Sequence, residues 1–248
     1  MYPTAKLRIM TYNVHSCIGS DGIVSPYRIA DIIAHYEPDV VALQELDANK
    51  SRTNHIHQAR EIADYLEMNF HFHPSMEVED EKYGIAVLSR YPLKLMRAGA
   101  LPTFKWMRYL EARGALWACV DFNGRAIQII NTHLGLHWRE KRLQVSALLG
   151  SEWTAHANCR PPVIMCGDMN ALPCSSGYRR ITKFLRDAQV ALKGTKPLST
   201  FPSRYPIARI DHIFTSPEFK VRSVDVPRTH LTSAASDHLP LIAEVSII

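Results

Sequence analysis

Residues 163–170 contain side chains that could take part in catalysis or in metal binding. The segment reads Val-Ile-Met-Cys-Gly-Asp-Met-Asn, an apolar run that begins after two prolines and ends on polar residues. This pattern predicts a buried strand with its polar side chains at the carboxyl end. Asp168 and Asn170 lie two positions apart, which places both on one face of an extended chain. The pair could orient a water molecule or hold a hard cation, although by itself it is more typical of an Asx-turn before a helix.

Similar polar residues recur at other apolar segments of the chain. They are Asn13, Glu45, His133, Asp211, Asp237 and His238. Because ligands of α/β proteins bind at the carboxyl ends of strands, we expect these side chains to converge on one place. Acids, amides and histidines without a cysteine suit Mg²⁺ or Mn²⁺ better than structural zinc. The set therefore predicts metal-assisted chemistry on a phosphate.

The elements that must position these residues follow from hydrophobic periodicity and turn signals. Besides 163–170, we predict strands at 6–13, 40–43, 69–73, 83–89, 93–97, 113–121, 125–131, 209–214, 218–226 and 240–247. We predict helices at 26–37, 56–67, 138–155 and 175–186, and loops at 194–208 and 232–236. In the third helix the expected inward residues are Leu143, Ala147, Leu148 and Trp153, and the expected outward ones Arg139, Lys141 and Arg142. Helices that alternate with buried strands, followed by hairpins, indicate a mixed-sheet α/β domain with helices covering the sheets.

Length and composition fit one large domain, residues 1–248. The 248 residues are 46% hydrophobic, and no linker, low-complexity tract or short-period repeat divides them, so we predict a single core. The five cysteines are odd in number and lack paired metal spacing, which is typical of reduced, mostly buried thiols. The net charge of +5 suits an anionic substrate but is too small to indicate nucleic acid by itself. The sequence shows neither a leader nor a transmembrane segment, so we expect a soluble, cytoplasmic protein.

Six short motifs, in order along the whole chain, resemble those of the endonuclease/exonuclease/phosphatase superfamily. They are Thr11-Tyr12-Asn13, Gln44-Glu45, Asn131-Thr132-His133-Leu134, Gly167-Asp168-Met169-Asn170, Arg209-Ile210-Asp211-His212-Ile213-Phe214 and Ser236-Asp237-His238-Leu239-Pro240. The superfamily includes DNase I-like nucleases, abasic-site endonucleases, neutral sphingomyelinases and inositol polyphosphate phosphatases. Each motif alone is weak, but six in this order are highly specific. The resemblance implies a four-layer α/β sandwich of two mixed β-sheets packed face to face with helices outside. It also implies a Mg²⁺-dependent phosphoesterase, for which Mn²⁺ could substitute.

The resemblance implies a role for each motif residue at the metal. Glu45 is similar to the principal metal-binding carboxylate of the family, and Asn13 to the amide that supports the metal and the phosphate. Asp237 resembles a further acid of the metal shell. The number of metal ions, one or two, stays open.

The same resemblance implies the catalytic residues. Asp168 looks like the group that orients or deprotonates the attacking water, and Asn170 like a contact to the phosphate or the nucleophile. His238 resembles the catalytic histidine, Asp211 the carboxylate that orients it, and His133 the histidine that hydrogen-bonds a non-bridging phosphate oxygen. The implied reaction is in-line attack of water on phosphorus. The sequence leaves open whether His238 or Asp168 takes the proton from water.

Three further residues are predicted to bind the substrate. Arg113 and Tyr83 fall where bacterial relatives carry Arg-Gly and Tyr-Gly near the cleft, although Ile85 stands where many of them have asparagine. Trp106 lies in the segment 104–109, where aromatic and basic residues alternate. That segment could stack a base or enter a lipid interface, or it could be a loop that packs its own aromatic side chains.

The motifs identify the chemistry better than the substrate. The segments 132–136 and 167–173 are more similar to bacterial hydrolases grouped with sphingomyelinase-like and lipid-head-group phosphodiesterases than to abasic-site nucleases. We therefore expect a phosphodiesterase whose substrate is a nucleic acid or a phospholipid head group, and its oligomeric state is open. The alternatives are a DNA or RNA nuclease of the abasic-site type and a non-catalytic member that keeps the fold for binding. A binding module, however, does not need an oriented histidine–carboxylate pair.

Overall fold

The computed structural model describes residues 5–104 and 111–248, within which the chain forms two six-stranded mixed sheets. The strands are β1 (Lys6–Asn13), β2 (Val40–Ala48), β3 (Asn69–Val78), β4 (Glu81–Ser89), β5 (Leu93–Ala100), β6 (Gly114–Phe122), β7 (Arg125–His133), β8 (Val163–Asp168), β9 (Arg186–Asp187), β10 (Asp211–Thr215), β11 (Phe219–Asp225) and β12 (Leu241–Ile247). The α-helices are α1 (Pro26–Tyr36), α2 (Gln58–Tyr65), α3 (Trp138–Leu148), α4 (Ser176–Ile181), α5 (Ala188–Ala191) and α6 (His230–Ala235). The predicted substrate-binding residue Trp106 lies outside the described residues.

Each sheet contains one parallel pair of strands near its centre. The first sheet has the order β11-β12-β1-β2-β4-β3, and the second has β5-β6-β7-β8-β10-β9. In the first sheet β1 runs parallel to β2, and in the second β7 runs parallel to β8. Parallel neighbours end at the same edge of a sheet, so the polar residues that close these four strands lie along the edges of the two sheets.

The two sheets pack face to face, and helices cover their outer surfaces. The core between the sheets combines side chains of β1, β2 and β4 with side chains of β6, β7 and β8. Apolar residues of α1 and α2 pack on the outside of the first sheet, and those of α3 and α4 pack on the outside of the second. The predicted α/β sandwich is therefore confirmed, and burial of these apolar faces is the main force that holds its layers together.

A buried polar contact joins the two sheets close to their shared edge. The side-chain amide of Gln44, on β2, donates to Asn131 Oδ1, on β7, at 2.8 Å. Asn131 Nδ2 donates in turn to the backbone carbonyls of Leu43 and Ala86, at 2.9 and 2.8 Å. Both amides are fully buried, where a polar group must be hydrogen-bonded to be tolerated. The contact therefore sets the position of one sheet against the other at the edge where the polar residues collect.

The predicted third helix is shorter than expected, and one of its predicted inward residues is exposed. It ends at Leu148 instead of 155, and Trp153 is buried beyond its end. Leu143 was predicted to face inward but is 41% exposed, whereas Gln144 and Val145 are buried. Gln144 faces inward because its side-chain oxygen accepts a hydrogen bond from a backbone N–H of the β7–α3 loop, at 2.8 Å. Hydrophobic periodicity was right for Ala147, Leu148 and Trp153, which pack in the outer core of the second sheet, and wrong for Leu143, because the polar Gln144 takes the inward position.

Other boundaries also differ from the prediction. β2 continues to Ala48 instead of 43, and β3 continues to Val78 instead of 73. The helix expected at 175–186 ends at Ile181, and Phe184, an apolar residue within the predicted range, is 65% exposed. The segment 232–236 was predicted as a loop, but α6 covers most of it. Thr229 and Thr232 form a reciprocal capping box at the start of α6, an arrangement that begins a helix without an apolar stripe.

The cysteine prediction holds for most of the five thiols. All five are free, and Cys17, Cys159 and Cys166 are buried. In the described part of the chain no helix is long and apolar enough to cross a membrane.

Gly167 is the residue at which the close approach of β7 and β8 forbids a side chain. Its φ is +136°, and a Cβ at this position would collide with the backbone carbonyl oxygen of Thr132. We expect Gly167→Ala to lower the free energy of unfolding by at least about 3 kcal/mol, because backbone strain adds to the collision. Urea denaturation of the wild type and the variant measures this difference.

Gly124 provides the matched control. It also has a positive φ, of +80°, but no atom lies within 4 Å of a Cβ placed there. We expect Gly124→Ala to cost only the backbone strain, about 1–2 kcal/mol. Equal losses of stability in the two variants would contradict a steric role for the Thr132 carbonyl.

Candidate active site

The structure brings together most of the residues that the sequence predicted for the site. Asn13 closes β1, Glu45 lies in β2, His133 closes β7 and Asp168 closes β8. Asp211 opens β10 and pairs in register with Asp168. The two parallel pairs, β1 with β2 and β7 with β8, thus place their polar residues at one edge of the sandwich. The antiparallel β10 starts beside the end of β8.

Glu45 reaches the site because β2 is irregular at that point. The pairing of β2 with β4 shifts register between Leu43 and Leu46, and Glu45 has a φ of +59°. Such a bulge re-aims a side chain that regular alternation would place elsewhere. Asn13 Nδ2 then donates to Glu45 Oε1 at 2.8 Å and to Asp168 Oδ2 at 3.1 Å, so one amide holds the two carboxylates side by side.

His133 lies beside these carboxylates and is fixed from behind. Its Nε2 is 3.5 Å from Asp168 Oδ2 and 3.9 Å from Glu45 Oε1. Arg113 Nη1 is 3.0 Å from His133 Nδ1, and because a guanidinium can only donate, Nδ1 accepts. Burial, then the charges of Arg113 and His238, keep the pKa of His133 well below its usual value. His133 is therefore a neutral imidazole whose proton lies on Nε2, on the side of the carboxylates.

Asn170 completes this side of the site. Its backbone N–H donates to Asp168 Oδ1 at 2.8 Å, the Asx-turn that the sequence allowed. Its side-chain Nδ2 donates to the Leu134 carbonyl at 2.9 Å and lies 3.1 Å from His133 Nε2. The turn and the chemistry are thus compatible, because the same turn that forms locally places the Asn170 amide next to His133.

On the opposite side, His238 is held by a buried carboxylate. His238 Nδ1 lies 2.8 Å from Asp211 Oδ2, and His238 Nε2 lies 3.7 Å from Asp168 Oδ2. Thr200, a residue of the loop before β10, donates its hydroxyl to the same Asp211 oxygen at 2.5 Å. The ring of Phe201 packs on His238 with 4.8 Å between ring centres. Asp211 therefore fixes the orientation of the imidazole and leaves its Nε2 directed at Asp168.

The pKa values of the pair reflect this geometry. Burial, followed by the charge of Asp211, raises the pKa of Asp168 to about 7, against the opposing effect of His238. Burial alone would lower the pKa of His238, but the charge and hydrogen bond of Asp211, together with Asp168, raise it to about 10. A carboxylate and an imidazolium that stabilise each other in a buried site are typical of groups that handle protons.

Asp237 and His15 lie at the rim of the site. Asp237, predicted as a metal-shell acid, has a half-exposed side chain whose Oδ1 is 3.4 Å from His15 Nδ1. The same nitrogen is 3.7 Å from Glu45 Oε2. Sequence reasoning missed His15, although it stands two residues after Asn13 and therefore has the same spacing as Asp168 and Asn170. His15 adopts a φ of +47°, which turns the chain back towards the site after β1 ends.

Arg113 and Tyr83, predicted to bind substrate, are buried behind the site. Arg113 pairs with Glu111 at 2.6 Å as well as contacting His133. Tyr83 is 6% exposed, and burial, then the charges of Glu45 and Glu111, raise its pKa above the usual range. In the structure Arg113 supports His133, and the Tyr83 ring lies beneath Lys50 and Arg52, so any contact of either residue with a substrate stays a prediction.

Lys141 also belongs to the neighbourhood of the site, contrary to its predicted outward position. It is half-buried on the inner face of α3, and its Nζ donates to the backbone carbonyl of Asn170. Burial lowers the pKa of the Lys141 amine, and the charge of Asp168 acts against that shift. Its position one turn before the inward residues Gln144, Val145 and Leu148 is the signal that would have identified it.

The residues present fit a divalent metal ion. Oxygen or nitrogen atoms of Glu45, His133 and Asp168 lie within 4.8 Å of one another, and a second such group contains Asp168, Asp211 and His238. Two carboxylates that share one amide donor carry adjacent negative charges, which a hard cation would neutralise. The Nδ2 of Asn13 faces both carboxylates while its Oδ1 accepts from the His15 N–H at 3.1 Å. Glu45 is therefore the first ligand we expect, with Asn13 holding it in place.

A second buried cluster, around Asp187, supports the strands below the site. Asp187 accepts hydrogen bonds from Tyr178 at 2.9 Å and from Arg209, and lies 3.2 Å from His212. His212 Nε2 is 2.9 Å from the Ala171 carbonyl, just after the Asp168–Asn170 turn. The cluster thereby ties β9 and β10 to the segment that carries the candidate catalytic residues.

We expect this cluster to make the free energy of unfolding depend on pH in the acidic range. Burial acts to raise the pKa of Asp187, but His212 and then Arg209 outweigh it and lower the pKa below its usual value. A carboxyl group with a depressed folded-state pKa contributes stability that is present above its unfolded pKa, about 3.9, and is lost as pH falls below it. Asp187→Asn should therefore lose about 3 kcal/mol at pH 6 and show a flatter decline between pH 5 and 2. Chemical denaturation across this range measures it, and exposed Asp80→Asn should keep the wild-type profile.

Comparisons with known proteins agree with this arrangement. The sequence model of the Endonuclease/Exonuclease/phosphatase family matches residues 10–238. The chain is similar to the uncharacterized protein YbhP of Escherichia coli (strain K12), with 25% identity over 256 residues, covering 98% of this chain and 97% of YbhP. Among solved structures it is similar to an endonuclease/exonuclease/phosphatase from Beutenbergia cavernae, with a TM-score of 0.80 and 23% identity, covering 98% of this chain and 72% of the other. It is also similar to mannosyl-6-phosphatase Bt3783 of Bacteroides thetaiotaomicron, with a TM-score of 0.80 and 20% identity, covering 97% and 100% of the two chains. At these identities the structural matches show the fold alone.

Proposed function

Since the chain belongs to the endonuclease/exonuclease/phosphatase family, we propose that it is a Mg²⁺-dependent phosphodiesterase that cleaves its substrate by in-line attack of water on phosphorus. The observation that carries the proposal is the convergence of Glu45, Asp168 and His238, separated by almost the whole chain, on one edge of the sandwich. We also propose that residues 1–248 act as one domain, because both sheets contribute to this edge.

We assign Glu45 as the main metal ligand, with Asp237 as a further acid at the rim and Asn13 as the group that orients Glu45. A bound Mg²⁺ would neutralise negative charge on the phosphate and on the leaving oxygen. Mn²⁺, which prefers similar oxygen ligands, would substitute for it.

The buried pair of Asp168 and His238 provides the base and the charged hydrogen-bond donor of the proposed mechanism. Asp168 Oδ2 lies near Asn13, His133 and His238, where it can orient a water molecule and accept its proton. His238 is protonated at neutral pH because Asp211 raises its pKa, so it acts as a donor towards a developing negative charge. In this proposal Asp168 is the base, and His238 stabilises the transition state.

His133 and Asn170 supply the neutral hydrogen-bond donors. Because Nδ1 accepts from Arg113, His133 carries its proton on Nε2 and can donate to a phosphate oxygen. Asn170 Nδ2 is a second donor 3.1 Å from that nitrogen, so an anionic phosphate oxygen between the two would relieve the repulsion of their N–H groups. Donors that are already oriented stabilise charge that develops in the transition state, typically by a factor of about 10²–10³ each. Arg113 keeps this arrangement by holding the opposite nitrogen of the His133 ring.

A substrate panel tests the proposal. We expect Mg²⁺- or Mn²⁺-dependent cleavage of bis-p-nitrophenyl phosphate, a diester, to exceed that of p-nitrophenyl phosphate, a monoester. The same panel should include sphingomyelin, single-stranded DNA and a duplex with an abasic site, which represent the phospholipid and nucleic-acid alternatives. Preference for the abasic duplex, with steep dependence on salt, would favour a nuclease instead. No metal-dependent hydrolysis of any of them, and no Mg²⁺ binding at millimolar concentration, would favour a non-catalytic binding protein.

A further inference from the structure

Two adjoining cavities form a cleft that leads away from the candidate active site. The inner cavity, of about 340 Å³, is lined by His15 and Asp237 among others. The outer cavity, of about 720 Å³, is lined by Arg228 among others. Ser20, Arg204 and Tyr205 line both cavities, so the two adjoin. We call the outer one the outer cleft.

The charge of the outer cleft is positive. Arg204 and Arg228 line it together with His230, and no acidic side chain is among its lining residues in the described structure. Within residues 5–104 and 111–248, neither arginine has a carboxylate within 4.0 Å, whereas six other arginines do. Guanidinium groups without an acidic partner bind phosphate readily because their planar forks match its oxygens.

The outer cleft is fixed in position relative to the candidate active site. The backbone N–H of Ser203 donates to the Asp237 carbonyl at 2.7 Å, and its hydroxyl donates to the Ser236 carbonyl at 2.7 Å. Arg228 Nη2 donates to the Arg204 carbonyl at 2.5 Å. The two arginines are therefore tied through Ser203 to the loop that carries His238, and the distance between the phosphorus site and the cations is set by the fold.

Tyr205 adds a planar apolar surface beside these cations. It is 76% exposed, and its backbone N–H donates to the Pro202 carbonyl at 3.1 Å, which fixes the turn that presents it. An exposed tyrosine ring next to arginines is a surface on which a planar group of a ligand can stack.

We propose that the outer cleft binds a second phosphate of the substrate. The preferred substrate would then be a phosphodiester whose attached moiety carries a further phosphate, as in a phosphorylated nucleoside or a phosphorylated polyol. This inference rests on the proposed phosphodiesterase activity, which it narrows to substrates with two phosphates.

Matched chromogenic diesters test it. The first pair is thymidine 5′-(p-nitrophenyl phosphate) with and without a phosphate on the 3′-hydroxyl. The second pair is the p-nitrophenyl phosphodiester of glycerol with and without a phosphate on another hydroxyl. We expect the second phosphate to raise kcat/KM about fivefold to tenfold, mainly through KM, as two partly exposed cation–phosphate contacts would. A larger gain in the thymidine pair would identify a nucleotide and a role for Tyr205, and equal gains would identify the phosphorylated polyol as sufficient.

Variants of the outer cleft distinguish binding of the second phosphate in the cleft from a general effect of the positive charge of the protein. In Arg204→Ala/Arg228→Ala the ratio of kcat/KM within each pair should fall towards one, and Arg228→Lys should retain part of it. Arg179→Ala/Arg180→Ala removes the same charge from α4, which does not line the cleft, and should keep the wild-type ratio. A wild-type ratio of one, or a double cleft variant that keeps the full ratio, would overturn the inference.

A binding measurement makes the result independent of turnover. Calorimetry without added metal should show thymidine 3′,5′-bisphosphate binding about fivefold more tightly than thymidine 5′-monophosphate, with the difference lost in the double cleft variant. Equal binding of the two nucleotides would overturn the cleft assignment even if hydrolysis is found. Absence of hydrolysis with preferential bisphosphate binding would instead refute only the proposed activity.

Discussion

Glu45→Gln is expected to lower kcat/KM for Mg²⁺-dependent diester hydrolysis by at least about 10³-fold. The substitution keeps the size of the side chain and removes only its charge. Asn13 already donates to Glu45 Oε1, and glutamine can still accept that bond, so the site should keep its shape. The loss would come from weaker metal binding, because Glu45 is the more exposed carboxylate of the group that it forms with His133 and Asp168. Steady-state kinetics with bis-p-nitrophenyl phosphate at several Mg²⁺ concentrations measures it.

Glu79→Gln is the matched control. It removes the same charge as Glu45→Gln, but Glu79 is exposed in the turn between β3 and β4. It should hydrolyse the diester at the wild-type rate. Titration of Mg²⁺ by calorimetry should show weakened binding in Glu45→Gln and unchanged binding in Glu79→Gln. Full activity of Glu45→Gln or Glu45→Ala would remove the metal assignment on which the mechanism depends.

Asp211→Asn is expected to reduce kcat by about 10³-fold, and His238→Ala by at least as much, because both remove the oriented, protonated imidazole. Asp211 holds His238 Nδ1 at 2.8 Å and accepts the Thr200 hydroxyl. An asparagine at position 211 can still accept the hydrogen bond of the Thr200 hydroxyl, but it has no charge to stabilise the imidazolium of His238. Single-turnover kinetics with saturating substrate separates this effect on chemistry from an effect on binding.

A purely structural role for the pair would give a different result. Asp211 and His238 belong to the second group around Asp168 and not to the group that contains Glu45, the proposed main metal ligand, so Mg²⁺ affinity should stay near the wild-type value in both variants. His35→Gln, at an exposed position on α1, should retain full activity. If Asp211→Asn lost Mg²⁺ binding and thermal stability along with kcat, Asp211 would be a structural residue and the proposed role of His238 would fall with it.

Local sequence patterns were sufficient to predict most of the elements that carry the site. β1 and α1 begin and end close to the predicted residues, because an apolar stripe, a serine cap and a proline act over a few neighbouring positions. The sandwich of two mixed sheets is likewise confirmed. The patterns failed where burial was decided by a distant partner. Gln144 and Lys141 face inward on α3 because of hydrogen bonds to residues of the β7–α3 loop and of the segment after β8.

The sequence by itself determined which chemical groups are present and that Asn13, His133 and Asp168 lie at the carboxyl ends of strands. Only the tertiary structure decided how they meet. The bulge in β2 turns Glu45 towards Asn13, and the antiparallel register places Asp211 beside Asp168. Likewise, Arg113, which directly precedes the neighbouring strand β6, reaches His133 and selects its tautomer. Contacts of this kind join residues far apart in the chain, and their geometry depends on strand pairing and sheet packing, which no short segment specifies.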